Sequence, residues 1–302
     1  MSILFVRLDH VAALRQAGGS RDPDPVIASA FAELAGAGGV SIGVGRERNG
    51  TQERDLRLLK ETVRTVLNVC MPPQEEWVKL VLAVRPDLAT LMPEGREGSG
   101  AERGLDAEDR RSEIQPVIET LKSGGIPASL LVDPAPAQVK AAHRVGSAAV
   151  LLHTGRFCWA ENDAARGAEF ERLVNAAKVA AKLGLVVHAG GGLTYQTAGQ
   201  VAEVQEIEAI HVGHSLIARA CLVGMGEAVR ELLRTLHEAG ERQGSWDSAP
   251  TSWRSAAWRT CSHGIGSASS IGCSRPPNGP IASRAPARPR IWRRASRRRK
   301  RP

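Results

Sequence analysis

Short apolar runs recur along the chain, and each gives way to a longer stretch in which apolar residues return every three or four positions. The runs are five or six residues long and end in Gly, Pro or polar residues, which predicts buried strands at 3–8, 40–44, 67–71, 87–92, 127–132, 148–153, 185–189 and 208–212. The longer stretches predict helices at 26–37, 51–66, 75–84, 112–122, 135–145, 164–183, 195–204 and 215–241; in the second of them Leu56, Leu59 and Val63 share one face. Pro72 and Pro73 stop the third strand just where the next helix begins. Strands so brief and so apolar are covered on both faces, as in a parallel sheet with helical crossovers. Eight such units in about 240 residues close most economically into a (β/α)8 TIM barrel. An open doubly wound sheet is the alternative, but no Gly-x-Gly-x-x-Gly turn follows the first strand, where a dinucleotide site needs one.

Charge alters this picture only at the C-terminal end. The chain has 302 residues, 42% of them hydrophobic, enough for a sizeable core, and a net charge of +8. Yet residues 245–302 hold 13 of the 40 Lys and Arg and a single acid, Asp247, so the body before them is mildly acidic. This tail carries four of the six Trp, shows no hydrophobic period and ends in Arg293-Arg-Ala-Ser-Arg-Arg-Arg-Lys-Arg301. The chain therefore divides into a barrel domain, 1–244, and a disordered basic tail, 245–302, expected to stay outside the core and to bind nucleic acid only non-specifically. The five cysteines have neither metal nor disulfide spacing, which points to a reducing cytoplasm. No signal peptide is expected, because residues 1–8 run straight into a strand, and no apolar stretch reaches the roughly 18 residues of a membrane span.

In a barrel of this kind, function belongs to the C-terminal ends of the strands. Those ends carry Asp9 and His10 after the first strand, Gly43 to Arg48 after the second, Cys70 after the third, Pro93 and Glu94 after the fourth, and His153 and Thr154 after the sixth. The seventh ends in His188-Ala-Gly190-Gly191-Gly192 and the eighth in His211-Val-Gly213-His214. Two successive strand–glycine–helix turns have the layout of an anion site, because glycine lets backbone approach a ligand and a helix start presents N–H groups and a positive dipole end. Barrels commonly hold phosphate on these two turns. Tight turns without a ligand are the plainer reading of each alone. Four of the eight histidines, His10, His153, His188 and His214, fall at or just below the mouth, where imidazole moves protons or holds phosphate; satisfaction by a backbone carbonyl is the alternative for each. Metal spacing is absent, and no cofactor is expected.

Seven segments together carry a resemblance. Leu8-Asp-His-Val-Ala-Ala-Leu-Arg15, Asp22-Pro-Asp-Pro25, Leu91-Met-Pro-Glu94, Gly104-Leu-Asp106, His153-Thr-Gly155, Ala189-Gly-Gly-Gly-Leu-Thr-Tyr195 and Val212-Gly-His214 occur in the order and spacing of the pyridoxine 5'-phosphate synthase family. The chain resembles that family over residues 3–240. The resemblance implies a (β/α)8 barrel with extra helices, a homo-octamer, and condensation of 1-deoxy-D-xylulose 5-phosphate with 3-amino-2-oxopropyl phosphate. It further implies that Asp9, His10, Gly190, Gly192, Gly213 and His214 bind the phosphorylated substrates, and that residues 93–104 form a mobile loop over the site.

The same resemblance exposes departures. Gly43, Cys70 and Gly191 stand where the family has a catalytic histidine, a catalytic glutamate and a further histidine. Arg7 replaces an asparagine, Gly18 and Gly45 replace arginines, Gly50 a histidine, Gly100 a threonine and Leu151 a glutamate. Phosphate-ligand binding is therefore expected to survive while catalysis is weakened or lost, with His188 and His211 as possible replacements for the missing proton-transfer groups. A non-catalytic partner of an intact synthase is the alternative, and nucleic-acid binding through the tail a third. The tail has a separate origin on this reading: back-translated with GC-rich codons and shifted by one base, residues 245–261 permit a peptide resembling the start of holo-acyl-carrier-protein synthase, as a frameshift would produce.

Overall fold

In the computed structural model, residues 2–45, 50–94 and 103–241 are described. β1 (Ile3–Arg7) leads into α1 (Asp9–Ala17) and α2 (Pro25–Leu34), then β2 (Gly39–Gly43), α3 (Glu53–Thr62), β3 (Val66–Met71), α4 (Glu75–Val84) and β4 (Leu88–Leu91). The second half runs α5 (Arg111–Ser123), β5 (Ala128–Val132), α6 (Pro136–Arg144), β6 (Ala149–His153), α7 (Gly155–Cys158), α8 (Asp163–Lys182), β7 (Val186–Gly190), α9 (Tyr195–Ala202), β8 (Ala209–Val212), α10 (His214–Val223) and α11 (Met225–Glu241). All eight strands are parallel, neighbours in sequence are neighbours in the sheet, and β1 pairs with β8 to close the barrel. The expected (β/α)8 barrel with extra helices is the observed fold; the tail lies outside the described residues.

Local chemistry explains several helix starts. Asp24 accepts from the Val26 N–H at 2.8 Å with Pro25 in the first helical position, and Asn162 accepts from Ala165 N at 2.8 Å to start α8. Three departures from the expected elements have equally local causes. α1 is short, with a buried face of Val11, Ala12 and Arg15, too brief for its period to stand out beside the strand before it. α7 is a single turn. The helix expected at 215–241 is two, because Gly224 adopts φ +85° and breaks it.

Apolar residues on the outward faces of the strands pack against the helices; α11 contributes Ala228, Val229, Leu232 and Leu236. Inside the barrel lies a polar belt. His211 Nδ1 is 3.0 Å from Ser41 Oγ on β2, a contact that must cross the interior because β1 separates their strands. His211 Nε2 meets His188 Nδ1 at 3.1 Å, Asn68 Nδ2 donates to Ser41 Oγ at 3.2 Å, and Thr90 Oγ1 donates to Asn68 Oδ1 at 2.8 Å. Phe5 stacks on His211 with centroids 4.5 Å apart and leaves room on β2 only for Gly39, where a Cβ would come within 2.4 Å of the phenyl ring. Buried polar groups are tolerated when hydrogen-bonded to one another, and the belt meets that condition from β7 round to β4.

A buried ion pair joins α1 to α3. Arg15 donates to both oxygens of Asp55, at 2.8 and 2.5 Å, and to the carbonyl of Gly50, while Asp55 accepts from Gln52 N at 2.9 Å. The Arg15 side chain is 5% exposed and that of Asp55 fully buried, so neither charge has water to fall back on.

The belt makes stability depend on pH. His188 is held down at about 4 and His211 well below its ordinary value, each chiefly by burial, His211 also by its neighbours His188 and Arg7. The unfolded chain takes up these protons near pH 6.5, whereas folded His188 does so only near pH 4. Stability is therefore complete above about pH 7 and falls as the pH drops from 6.5 towards 4. Urea denaturation between pH 7.5 and 5.5 should show the onset of this decline, above the range in which ordinary carboxylates titrate, and His188→Gln should flatten it. A slope unaltered by that change would assign the pH dependence elsewhere.

Candidate functional site

Closure of β1 on β8 brings together residues from the two ends of the barrel sequence. Asp9, the first residue of α1, accepts from Gly43 N at 2.7 Å through one oxygen and pairs with Arg7 at 3.3 Å through the other. His10 and His214 meet edge to face, their ring centroids 5.2 Å apart. Gly213 fits against this group because it lacks a side chain: a Cβ there would stand 3.1 Å from Arg7 Cβ and 3.3 Å from His10 Cδ2. It is also the N-cap of α10, and no side chain caps that helix. The first turn of α10 thus keeps its N–H groups for solvent or an anion.

The neighbouring turn is built differently. Gly191 and Gly192 have φ of +109° and +72°, conformations that side-chain-bearing residues rarely adopt. Thr154, just past β6, fastens the turn by donating its N–H to Gly190 O at 2.9 Å and its hydroxyl to Gly191 O at 2.6 Å. Thr194 then starts α9, accepting from Thr197 N at 3.3 Å in a capping box. A Cβ on Gly191 would lie 2.7 Å from His153 Cδ2, and one on Gly192 would lie 2.9 Å from Trp159 Cζ2. The two glycine turns named from the sequence are therefore adjacent, on neighbouring strands β7 and β8, and each rests on an imidazole.

At the positions where the family resemblance implies acid–base groups, the geometry has closed around the substitutes. Gly43 pairs across the sheet with Cys70. The Cys70 thiol is fully buried in an apolar group with Met92, Leu131 and Leu151, receiving a hydrogen bond from Asn68 Nδ2 at 3.5 Å. The imidazole of His153 fills the space a histidine at 191 would enter. Gly50, with φ +109°, lies so close to α1 that a Cβ would come within 2.3 Å of the Ala12 carbonyl oxygen. His188 and His211 are only 5% and 2% exposed; His211 lies level with Gly190 on the neighbouring strand, where a Gly190 Cβ would come within 2.9 Å of its own. Gly100 and most of the loop expected over the site lie outside the described residues.

Two features of the site were not anticipated from the sequence. The inward polar belt has a faint signal, since Ser41 and Gly43, and Asn68 and Cys70, alternate along strands that otherwise read as wholly apolar. Trp159 has none, because its place beside Gly192 depends on how the short α7 folds back. Among the described residues, no group of three or more His, Cys, Asp or Glu is arranged to hold a metal, and no helix is long and apolar enough to cross a membrane.

Comparison with known proteins agrees with this geometry. The profile of the family described as "Pyridoxal phosphate biosynthesis protein PdxJ" matches residues 4–238. Pyridoxine 5'-phosphate synthase of Syntrophotalea carbinolica is 48% identical over 232 residues, covering 77% of this chain and 97% of that one. The enzymes of the same name from a Synechococcus species and from Geobacter metallireducens are 46% and 47% identical, covering 78% and 77% of this chain and 99% and 98% of theirs. Among solved structures, that of KGPDC from Streptococcus mutans superposes with a TM-score of 0.54 at 13% identity, over 79% of this chain and 99% of that one, a likeness of barrel fold alone. With a barrel closed in sequence order, twin glycine turns after β7 and β8, and a profile spanning residues 4–238, the chain belongs to the PdxJ family of pyridoxal phosphate biosynthesis proteins.

Proposed function

We propose that this chain binds a small phosphate ester at the β7 and β8 turns and carries out the condensation named for its relatives either very slowly or not at all. One observation carries the binding half: α10 begins at a glycine with no side-chain cap, beside the His10–His214 pair and next to the Gly190–Gly192 turn. Backbone N–H groups, a helix dipole and two imidazoles converge there, and none depends on the replaced side chains. The catalytic half rests on the chemistry of ring formation. Joining 1-deoxy-D-xylulose 5-phosphate to 3-amino-2-oxopropyl phosphate requires imine formation, loss of water and proton abstraction, and a positioned acid or base contributes roughly 10²–10⁴-fold to such steps. Glycine at 43 and 191 contributes none, and Cys70 sits among apolar side chains. His188 and His211, buried and engaged with each other, are poor replacements; His153, which occupies the space above Gly191, is the nearer one.

Self-association belongs to the same proposal. α2 turns Ile27, Phe31 and Leu34, spaced as one helical stripe, towards solvent at 56%, 54% and 85% exposure, in keeping with an oligomer such as the family's octamer. Light scattering should report an assembly, and Phe31→Glu should reduce its mass; a monomeric unaltered chain would end this part of the reading.

Calorimetry with inorganic phosphate should show saturable binding, and Gly213→Val, which forces a side chain against Arg7 and His10, should weaken it more than tenfold. Binding indifferent to that substitution would place the anion elsewhere. Turnover with both substrates should fall below that of the Syntrophotalea carbinolica relative by several powers of ten, on the scale of about 10²–10⁴-fold per missing group. Equal turnover would show that proton transfer has been taken over, and His153→Gln would then test the nearest candidate.

A further inference from the structure

The wall on the β6 side of the phosphate turn has an order that the proposed activity does not use. Leu151, His153 and Trp159 stand in succession beside Gly190, Gly191 and Gly192. The Leu151 Cδ1 is 3.5 Å from where a Gly190 Cβ would be, the His153 ring 2.7 Å from that of Gly191 and the Trp159 ring 2.9 Å from that of Gly192. From the barrel interior to the rim the wall is thus aliphatic, then imidazole, then indole. Leu151 is also the edge of the apolar group formed with Cys70, Met92 and Leu131.

Trp159 is the unusual member. Its six-membered ring is held between two glycines: a Cβ on Gly155 would lie 2.5 Å from Cζ3, and one on Gly192 2.9 Å from Cζ2. The indole therefore has little freedom to move, yet the residue remains 45% exposed. A fixed aromatic surface left open next to an anion-binding turn loses no conformational freedom when a ligand covers it, and flat rings stack on such surfaces in offset or tilted arrangements. His153, 6.3 Å away between centroids and tilted by 59°, continues the aromatic surface inward.

We propose that Trp159, continued inward by His153 and Leu151, makes this site select phosphate monoesters whose body is a flat apolar ring over those whose body is a hydroxylated chain. A polyol set against this wall gives up water without gaining hydrogen bonds from Leu151 or from the indole face. A ring gains apolar contact along the same surface. The inference rests on the phosphate site proposed above and assigns Trp159 as a specificity-determining residue within it.

The test is calorimetry on the full chain with three probes: inorganic phosphate, glycerol 3-phosphate and phenyl phosphate, the last also displaced by the first. Phenyl phosphate should bind about fivefold more tightly than glycerol 3-phosphate, within the two- to tenfold that an aromatic pair is worth. Trp159→Ala should remove that preference while inorganic phosphate binds as before, and Trp159→Phe should keep most of it. Equal affinity for the two esters in the unaltered chain would overturn the proposal, and this comparison does not depend on any variant folding. So would Trp159→Ala weakening all three probes alike, which would reduce Trp159 to a prop for the Gly192 turn. If inorganic phosphate itself fails to bind, the underlying phosphate reading falls and takes this inference with it; if it binds without ester preference, only this inference falls.

Discussion

Everything at the mouth of this protein depends on the pairing of β1 with β8, in which Ile3, Leu4, Phe5 and Val6 align with Ala209, Ile210, His211 and Val212. That ladder converts an open sheet into a closed barrel and removes both edges at once. It also sets Arg7 and His10 against Gly213, brings His10 to His214, and lays Phe5 over His211. A slip of one residue would turn Phe5 outward and Leu4 inward, leaving the buried imidazoles without their stacked neighbour.

The replacements at the mouth share a physical consequence. Gly191 and Gly50 occupy backbone conformations, and spaces, that a larger residue cannot enter without moving His153 or the α1 backbone. Cys70 and Leu151 complete a buried apolar group with Met92 and Leu131, where an ionised carboxylate would lose its hydration. A larger residue at 50 or 191 would therefore meet steric resistance rather than an empty socket. The glycine turns after β7 and β8 are insulated from this, because the groups they present are backbone N–H and C=O.

Polar and apolar halves divide the barrel interior. Hydrogen bonds run from His188 through His211, Ser41 and Asn68 to Thr90, while Cys70, Met92, Leu131 and Leu151 form the apolar part. The polar half holds its histidines neutral by burial, and the apolar half reaches the β7 turn through Leu151 beside Gly190. The ion pair of Arg15 with Asp55 ties α1 to α3 outside the barrel, so the helix that carries Asp9 and His10 is anchored at its far end too.

The strands and long helices were legible because period and run length act over a few residues, and eight alternations in about 240 residues leave little choice but closure. The glycine turns at 190–192 and 213 were legible too, since a strand followed by glycine and a helix start is itself a local pattern. α1, α7 and the break at Gly224 escaped because they are short or hinge on a single φ. Only the tertiary structure decided that His188 and His211 face each other in the interior, that His153 fills the space above Gly191, and that Trp159 is wedged between Gly155 and Gly192. Each of these contacts joins residues whose meeting is set by the stagger of neighbouring strands and the path of a loop, quantities that no stretch of a few residues encodes.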